Sequence, residues 1–142
     1  MSSTTDLATG YLTIPNAITC TSATSISYSL DICDIGGNGG DITAVNFYYV
    51  VGDNYESGTS TVSDPFDASQ TATVTAGGTY SFTSETVIVT PPTDCSSYTH
   101  FCAVMTVTAD TKITNHDSCI ILDVSEPSTT NCPGMSSIII LF

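Results

Sequence analysis

Side-chain alternation with a period of two constrains this chain more than any other feature. Ile26, Tyr28, Leu30 and Ile32 alternate with Ser25, Ser27, Ser29 and Asp31, as in a strand with one face buried and the other in water. Ile42 to Val51 is dense in β-branched and aromatic residues and reads as a central strand. Val62 and the segment Thr71 to Thr75 read as short edge strands. Thr79 to Thr90 reads as a strand bent near Ser84-Glu85, and Tyr98 to Thr108 and Cys119 to Val124 as the last two. Gly36-Gly37-Asn38-Gly39-Gly40, Asp64-Pro65, Gly77-Gly78, Pro91-Pro92 and Pro127 supply the breaks. No window carries an apolar stripe of helical period with caps. Seven or eight short strands with such turns predict an all-β, immunoglobulin-like Greek-key sandwich.

A chain of 142 residues suits one domain, which at this size buries roughly 70% of its unfolded surface. The expected division is an N-terminal extended segment or first strand over 1–15, a sandwich over 16–132, and an apolar strand or tail over 133–142.

Cys20, Cys33, Cys95, Cys102, Cys119 and Cys132 are even in number, and none forms Cys-x-x-Cys. That favours three disulfides, hence an oxidising compartment and an extracellular location. The rival is metal binding, because His100 lies two residues before Cys102 and His116 three before Cys119. Both histidines fall at predicted strand ends or loops, where a surface histidine is the ordinary outcome. Met1 to Thr5 has neither the basic nor the apolar region of a signal peptide, so the expectation of secretion rests on the cysteines.

The run Ile26 to Gly37, followed by Val45-Asn-Phe-Tyr-Tyr-Val50, resembles the early strands of CARDB-type domains. In that family a strand enters an Asn-x-Gly turn and is followed by a strand with an aliphatic–x–aromatic pattern. Asp34-Ile35-Gly36 stands at the turn here, and Tyr98 to Val124 is similar to the closing hairpin. The resemblance covers roughly residues 20–125 and implies an extracellular adhesion or display domain without catalytic residues.

Six cysteines allow 15 complete pairings. In an immunoglobulin-like order, Cys20 precedes the second strand and Cys95 the sixth, and the two strands run the same way, so these cysteines come together. Cys102 and Cys119 flank a hairpin near Asp110-Thr111, which leaves Cys33 for Cys132. An alternative joins Cys33 to Cys119 or Cys102.

Charge narrows the partners. Fourteen acidic residues stand against one basic residue, Lys112, for a formal net charge of −13. Nucleic acids and anionic membranes are excluded, because both are bound through Lys and Arg. Cations, neutral glycans and proteins remain. Hydrophobic residues make up 41%, too many for a disordered chain. Hydroxyls supply most of the polar surface and make O-glycosylation an expectation, whereas no Asn-x-Ser/Thr sequon occurs.

Gly36 to Asp41 fits Gly-Gly-x-Gly-x-Asp, the start of a calcium-binding β-roll repeat, but only once, with Thr43 where an apolar residue belongs. A looser calcium site would use Asp31, Asp34 and Asp41. No cofactor beyond this candidate is expected. Asp53 with Glu56 and Asp64 with Asp67 read as solvated loop acids, and no catalytic motif is present, so no enzyme is expected.

The C-terminal run Ile138, Ile139, Ile140, Leu141 and Phe142 is uncharged and β-prone, a hazard if exposed. It reads as the last strand of its own sandwich, as a strand added to a neighbour's sheet, or as the start of a membrane anchor. Leu7 to Ile14 is a second candidate pairing strand. The expected function is an extracellular structural or adhesive protomer that self-associates by strand addition. The alternative is a monomeric cell-surface ectodomain that binds glycan or protein, with or without calcium.

Overall fold

The computed structural model describes residues 5–21, 25–55, 61–110 and 112–133. Eight strands follow in chain order: β1 (Leu7–Thr13), β2 (Ser25–Asp34), β3 (Gly40–Val50), β4 (Phe66–Asp67), β5 (Ala72–Val74), β6 (Thr79–Ile88), β7 (His100–Val107) and β8 (Asp117–Ile121). One antiparallel sheet has the order β1-β2-β6. The other has the order β4-β3-β7-β8, with β5 also on β3. The chain changes sheet between β2 and β3 and again on either side of β6. That is the Greek-key winding of an immunoglobulin-like sandwich.

Alternation decides which faces meet. On β2, Ile26, Tyr28, Leu30 and Ile32 are buried while Ser25 and Ser27 are exposed. They face Val45, Phe47 and Tyr49 of β3 and Phe101, Ala103 and Met105 of β7, all in one core. Phe47 holds the middle. Its ring centroid lies 4.7 Å from that of Tyr28 on the opposite sheet and 5.3 Å from that of Phe101 on the adjacent strand. Burial, with help from the Glu85 charge, pushes the Tyr28 phenol up to about 12, so it packs as a neutral ring.

The strand expected to bend at Ser84-Glu85 does so through a bulge. The β2–β6 register shifts between Tyr28 and Leu30, and Ser84 takes a left-handed φ of 51°. Two short elements differ from expectation. Val62 makes a single bridge to Val50, whereas Phe66–Asp67, just past the Asp64-Pro65 break, pairs with Phe47 and Asn46. Phe66 packs on the core, and that contact anchors a strand too short to show a period.

Disulfides join Cys20 to Cys95, Cys33 to Cys132 and Cys102 to Cys119. These are the pairs that follow from an immunoglobulin-like order. The first ties the segments entering β2 and β7. The last joins residues that face each other in the β7–β8 register. The Cys33–Cys132 bridge fastens the segment after β8 to β2. None of the three lies at the centre of the sandwich, where immunoglobulin domains place theirs between the sheets; the Tyr28–Phe47–Phe101 rings fill that place. Among the described residues, no helix is long and apolar enough to cross a membrane.

Candidate functional site

A sheet edge offers unpaired backbone groups, so each edge must be covered or left open to a partner. On the side away from β2, β1 is met by residues 128–132. Ser128 N–H donates to Leu12 O (3.0 Å), Asn131 N–H to Thr9 O (2.9 Å), and Leu12 N–H to Ser128 Oγ (2.8 Å). Leu7 to Ile14, a candidate pairing strand by sequence, therefore lies inside its own fold with both edges of β1 occupied. The outer side of β8 is tied to the same region. Ser118 Oγ donates to Gly10 O (2.6 Å) and Asn131 Nδ2 to Asp117 O (2.7 Å). β4 and β5 have only two and three residues.

β6 is the exception. Eight of its ten residues pair with β2 on one side, and among the described residues no backbone group bonds to its other side. Ladder alternation identifies the free donors. Asp34 N–H donates to Gly78 O, and Cys33 stands opposite Thr79. Pairs in an antiparallel ladder alternate between bonded and non-bonded, so Thr79 and Ser81 point their N–H groups outward. Further along, the Ser84 bulge interrupts the row. Glu85, held by Gln70 Nε2 at 3.2 Å, adds a charge. Bulges and charges both discourage edge pairing, which leaves Thr79 to Thr83 as the open stretch. Tyr80 is 38% exposed beside it.

The proposed calcium ligands do different work. Asp34 Oδ2 accepts from Gly39 N–H and Gly77 N–H, each at 2.8 Å, and Oδ1 accepts from Gly37 N–H at 3.0 Å. It therefore knits the β2–β3 turn to the β5–β6 turn. Gly39 has a φ of 69°, and a Cβ there would strike the Val74 carbonyl oxygen; the loop needs glycine there for both reasons. Asp31 Oδ1 accepts from Ser81 Oγ (2.8 Å) and Asp41 Oδ1 from Thr73 Oγ1 (2.9 Å). Among the described residues, no group of three His, Cys, Asp or Glu side chains could hold a metal ion. Asp53, Asp64 and Asp67 lie apart from one another's hydrogen bonds, and Glu56 falls outside the described residues.

Burial works to raise the Asp34 pKa, but N–H donors from Gly77, Gly39, Gly37 and Gly36 outweigh it and hold the carboxyl below its usual value. A depressed folded pKa stabilises the fold above the unfolded value of about 3.9, and this stability is lost as pH falls through the folded value. Asp34→Asn should cost about 1–2 kcal/mol at neutral pH, allowing for partial exposure. Melting temperatures measured from pH 6 to pH 2 should then converge for the two proteins below about pH 4. Parallel curves would show that the carboxylate does not hold the turns.

His116 was expected at the surface and is instead 3% exposed. Its Nε2 lies 2.9 Å from Asp110 Oδ2. The same oxygen accepts from Leu7 N–H at 2.8 Å, so His116 Nε2–H is the donor. Asn115 Nδ2 donates to Asp6 Oδ1 at 3.0 Å, and the exposed Lys112 Nζ is 3.6 Å from Asp6 Oδ2. This network fastens the start of β1 beneath the β7–β8 connection. A hollow beside it, lined by Tyr48 and Tyr55, has a volume of about 190 Å³, below the roughly 300–1,000 Å³ of small-molecule sites. A larger groove of about 360 Å³, between Ile14 and Ser27, is lined by no acid, histidine or cysteine.

Ile138, Ile139, Ile140, Leu141 and Phe142 lie outside the described residues. The last described part of the chain is anchored at Cys132, which is 4% exposed. In comparisons with known proteins, no family model matches the chain, and neither does any curated protein or solved structure.

Proposed function

We propose that this protein is an extracellular structural or adhesive protomer that builds a fibre or matrix by β-strand addition between subunits. The observation that carries this reading is the ten-residue edge strand β6, to whose outer side no backbone group bonds among the described residues, whereas β1 is met on both sides. Three disulfides suit an oxidising exterior, where such bonds persist. A surface rich in hydroxyls, such as Ser25, Ser27, Ser81, Thr83 and Thr86 on the exposed face of β2 and β6, suits O-glycosylation. Adhesion or display is also what the resemblance to CARDB-type domains implies, and no catalytic role is proposed.

Negative-stain microscopy with light scattering on native, non-reduced protein tests the reading. Filaments of regular width are the expected result. A monodisperse particle near the 14.8 kDa of one chain would overturn it in favour of a monomeric ectodomain binding glycan or protein.

A further inference from the structure

We infer that the Thr79 to Thr83 edge of β6 is the acceptor for the Ile138 to Phe142 segment of a second copy of this chain, paired antiparallel. The inference rests on the protomer reading above and adds the two surfaces, their polarity and the occupant.

Where the chain leaves the fold argues for the occupant. Residues 128–132 run antiparallel to β1, since Ser128 meets Leu12 and Asn131 meets Thr9. They end at Cys132, bridged to Cys33. Cys33 stands opposite both Ala8 and Thr79 in the ladders, so the chain departs at the end of the sandwich where β6 begins. From there, a tail laid on its own β6 would have to run in the same direction as that strand. Among the described residues, every strand pair is antiparallel. Such a tail would also have to cross from the outer side of β1 to the outer side of β6, about four strand spacings or ~19 Å, which 133–137 span only when almost fully extended. A second molecule, free to approach from any direction, meets neither obstacle.

The two stretches also correspond in length and chemistry. Thr79 to Phe82 keep regular register before Thr83 and Ser84 bulge opposite Ser29, so the edge is close in length to the five-residue run Ile138 to Phe142. Thr79 to Thr83 carries no charge, and neither does the run. In a chain of net charge −13, copies repel at most approaches, so contact between two uncharged strands is favoured. Donor and acceptor are different surfaces of one molecule. The contact is heterologous, and repetition without closure gives a filament.

The test uses the oxidised full chain, a chain lacking 136–142, and the full chain with Ser81→Pro. Proline at 81 removes an outward N–H and leaves the β2–β6 backbone hydrogen bonds intact, losing across the pair the Ser81 Oγ bond to Asp31 Oδ1. Thr79→Pro removes the outward N–H one pair away and serves as a second block, with folding checked by near-ultraviolet circular dichroism. The unaltered chain should form filaments, and each altered chain alone should stay monomeric. Mixed in equal amounts, the proline variant donates its tail to the open edge of the truncated chain. The mixture should yield a dimer of about 30 kDa, twice the 14.8 kDa protomer, and no filaments. Filaments from both proline variants, or a mixture that stays monomeric, would overturn the assignment of β6. The protomer reading would survive that result if truncation alone still abolished assembly. It falls separately if the unaltered chain does not assemble.

Discussion

Phe47→Ala will destabilise the folded chain by about 3–5 kcal/mol, the range for deleting a large buried aromatic side chain. Phe47 is fully buried, and its ring touches Tyr28 across the sandwich and Phe101 alongside. Tyr49 adds a further edge contact to Phe101 at 5.2 Å. Because the disulfides lie away from this centre, nothing covalent compensates when the ring is removed. Urea unfolding of the oxidised protein, followed by tyrosine fluorescence, gives the number. Phe47→Leu, which keeps most of the volume, should lose much less. A loss below about 1 kcal/mol for alanine would mean that the two sheets are not held together by these rings.

Replacing Cys33 and Cys132 together by alanine will have an effect of similar size. The bridge spans a sequence separation of 99, and the chain-entropy account assigns about 4–5 kcal/mol to a closed loop of that length. The bridge also holds residues 128–132 against β1, so its loss loosens the cover of that edge. Amide exchange at Ser128 and Asn131, whose N–H groups bond to β1, should speed up before global unfolding. Removing Cys102 and Cys119 is the comparison. Their separation is only 17, worth about 3 kcal/mol on the same account, and their strands are already paired. Equal losses from the two bridges, with exchange at Ser128 unchanged, would contradict this ranking.

How much was legible beforehand depended on whether the property was local. The alternation along Ile26 to Ile32 identified β2 and its buried face, because a strand's side chains change side at every residue. The bend at Ser84 was legible for a similar reason, since a serine and a glutamate interrupt the pattern there. The cysteine pairs followed once a strand order was assumed. β4 was not legible, because two residues have no period. His116 was misjudged because its burial depends on Asp110 and on the Leu7 amide, which arrive from different parts of the chain. The three candidate calcium ligands look alike in sequence. Only the fold shows that Asp34 is filled by backbone donors while Asp31 and Asp41 pair with hydroxyls across strands. The open edge of β6 had no local signal at all, since which strand is outermost is a property of sheet order.

The lone lysine acquires a different meaning from its place among the bridges. Lys112 is the only Lys or Arg in the chain, and its side chain is 68% exposed. A protease that needs a basic residue therefore has one bond to cut, between positions 112 and 113. Cys102–Cys119 and Cys33–Cys132 both cross that point, so the two fragments would stay joined at two places. Digestion at this bond would convert one chain into two without releasing either.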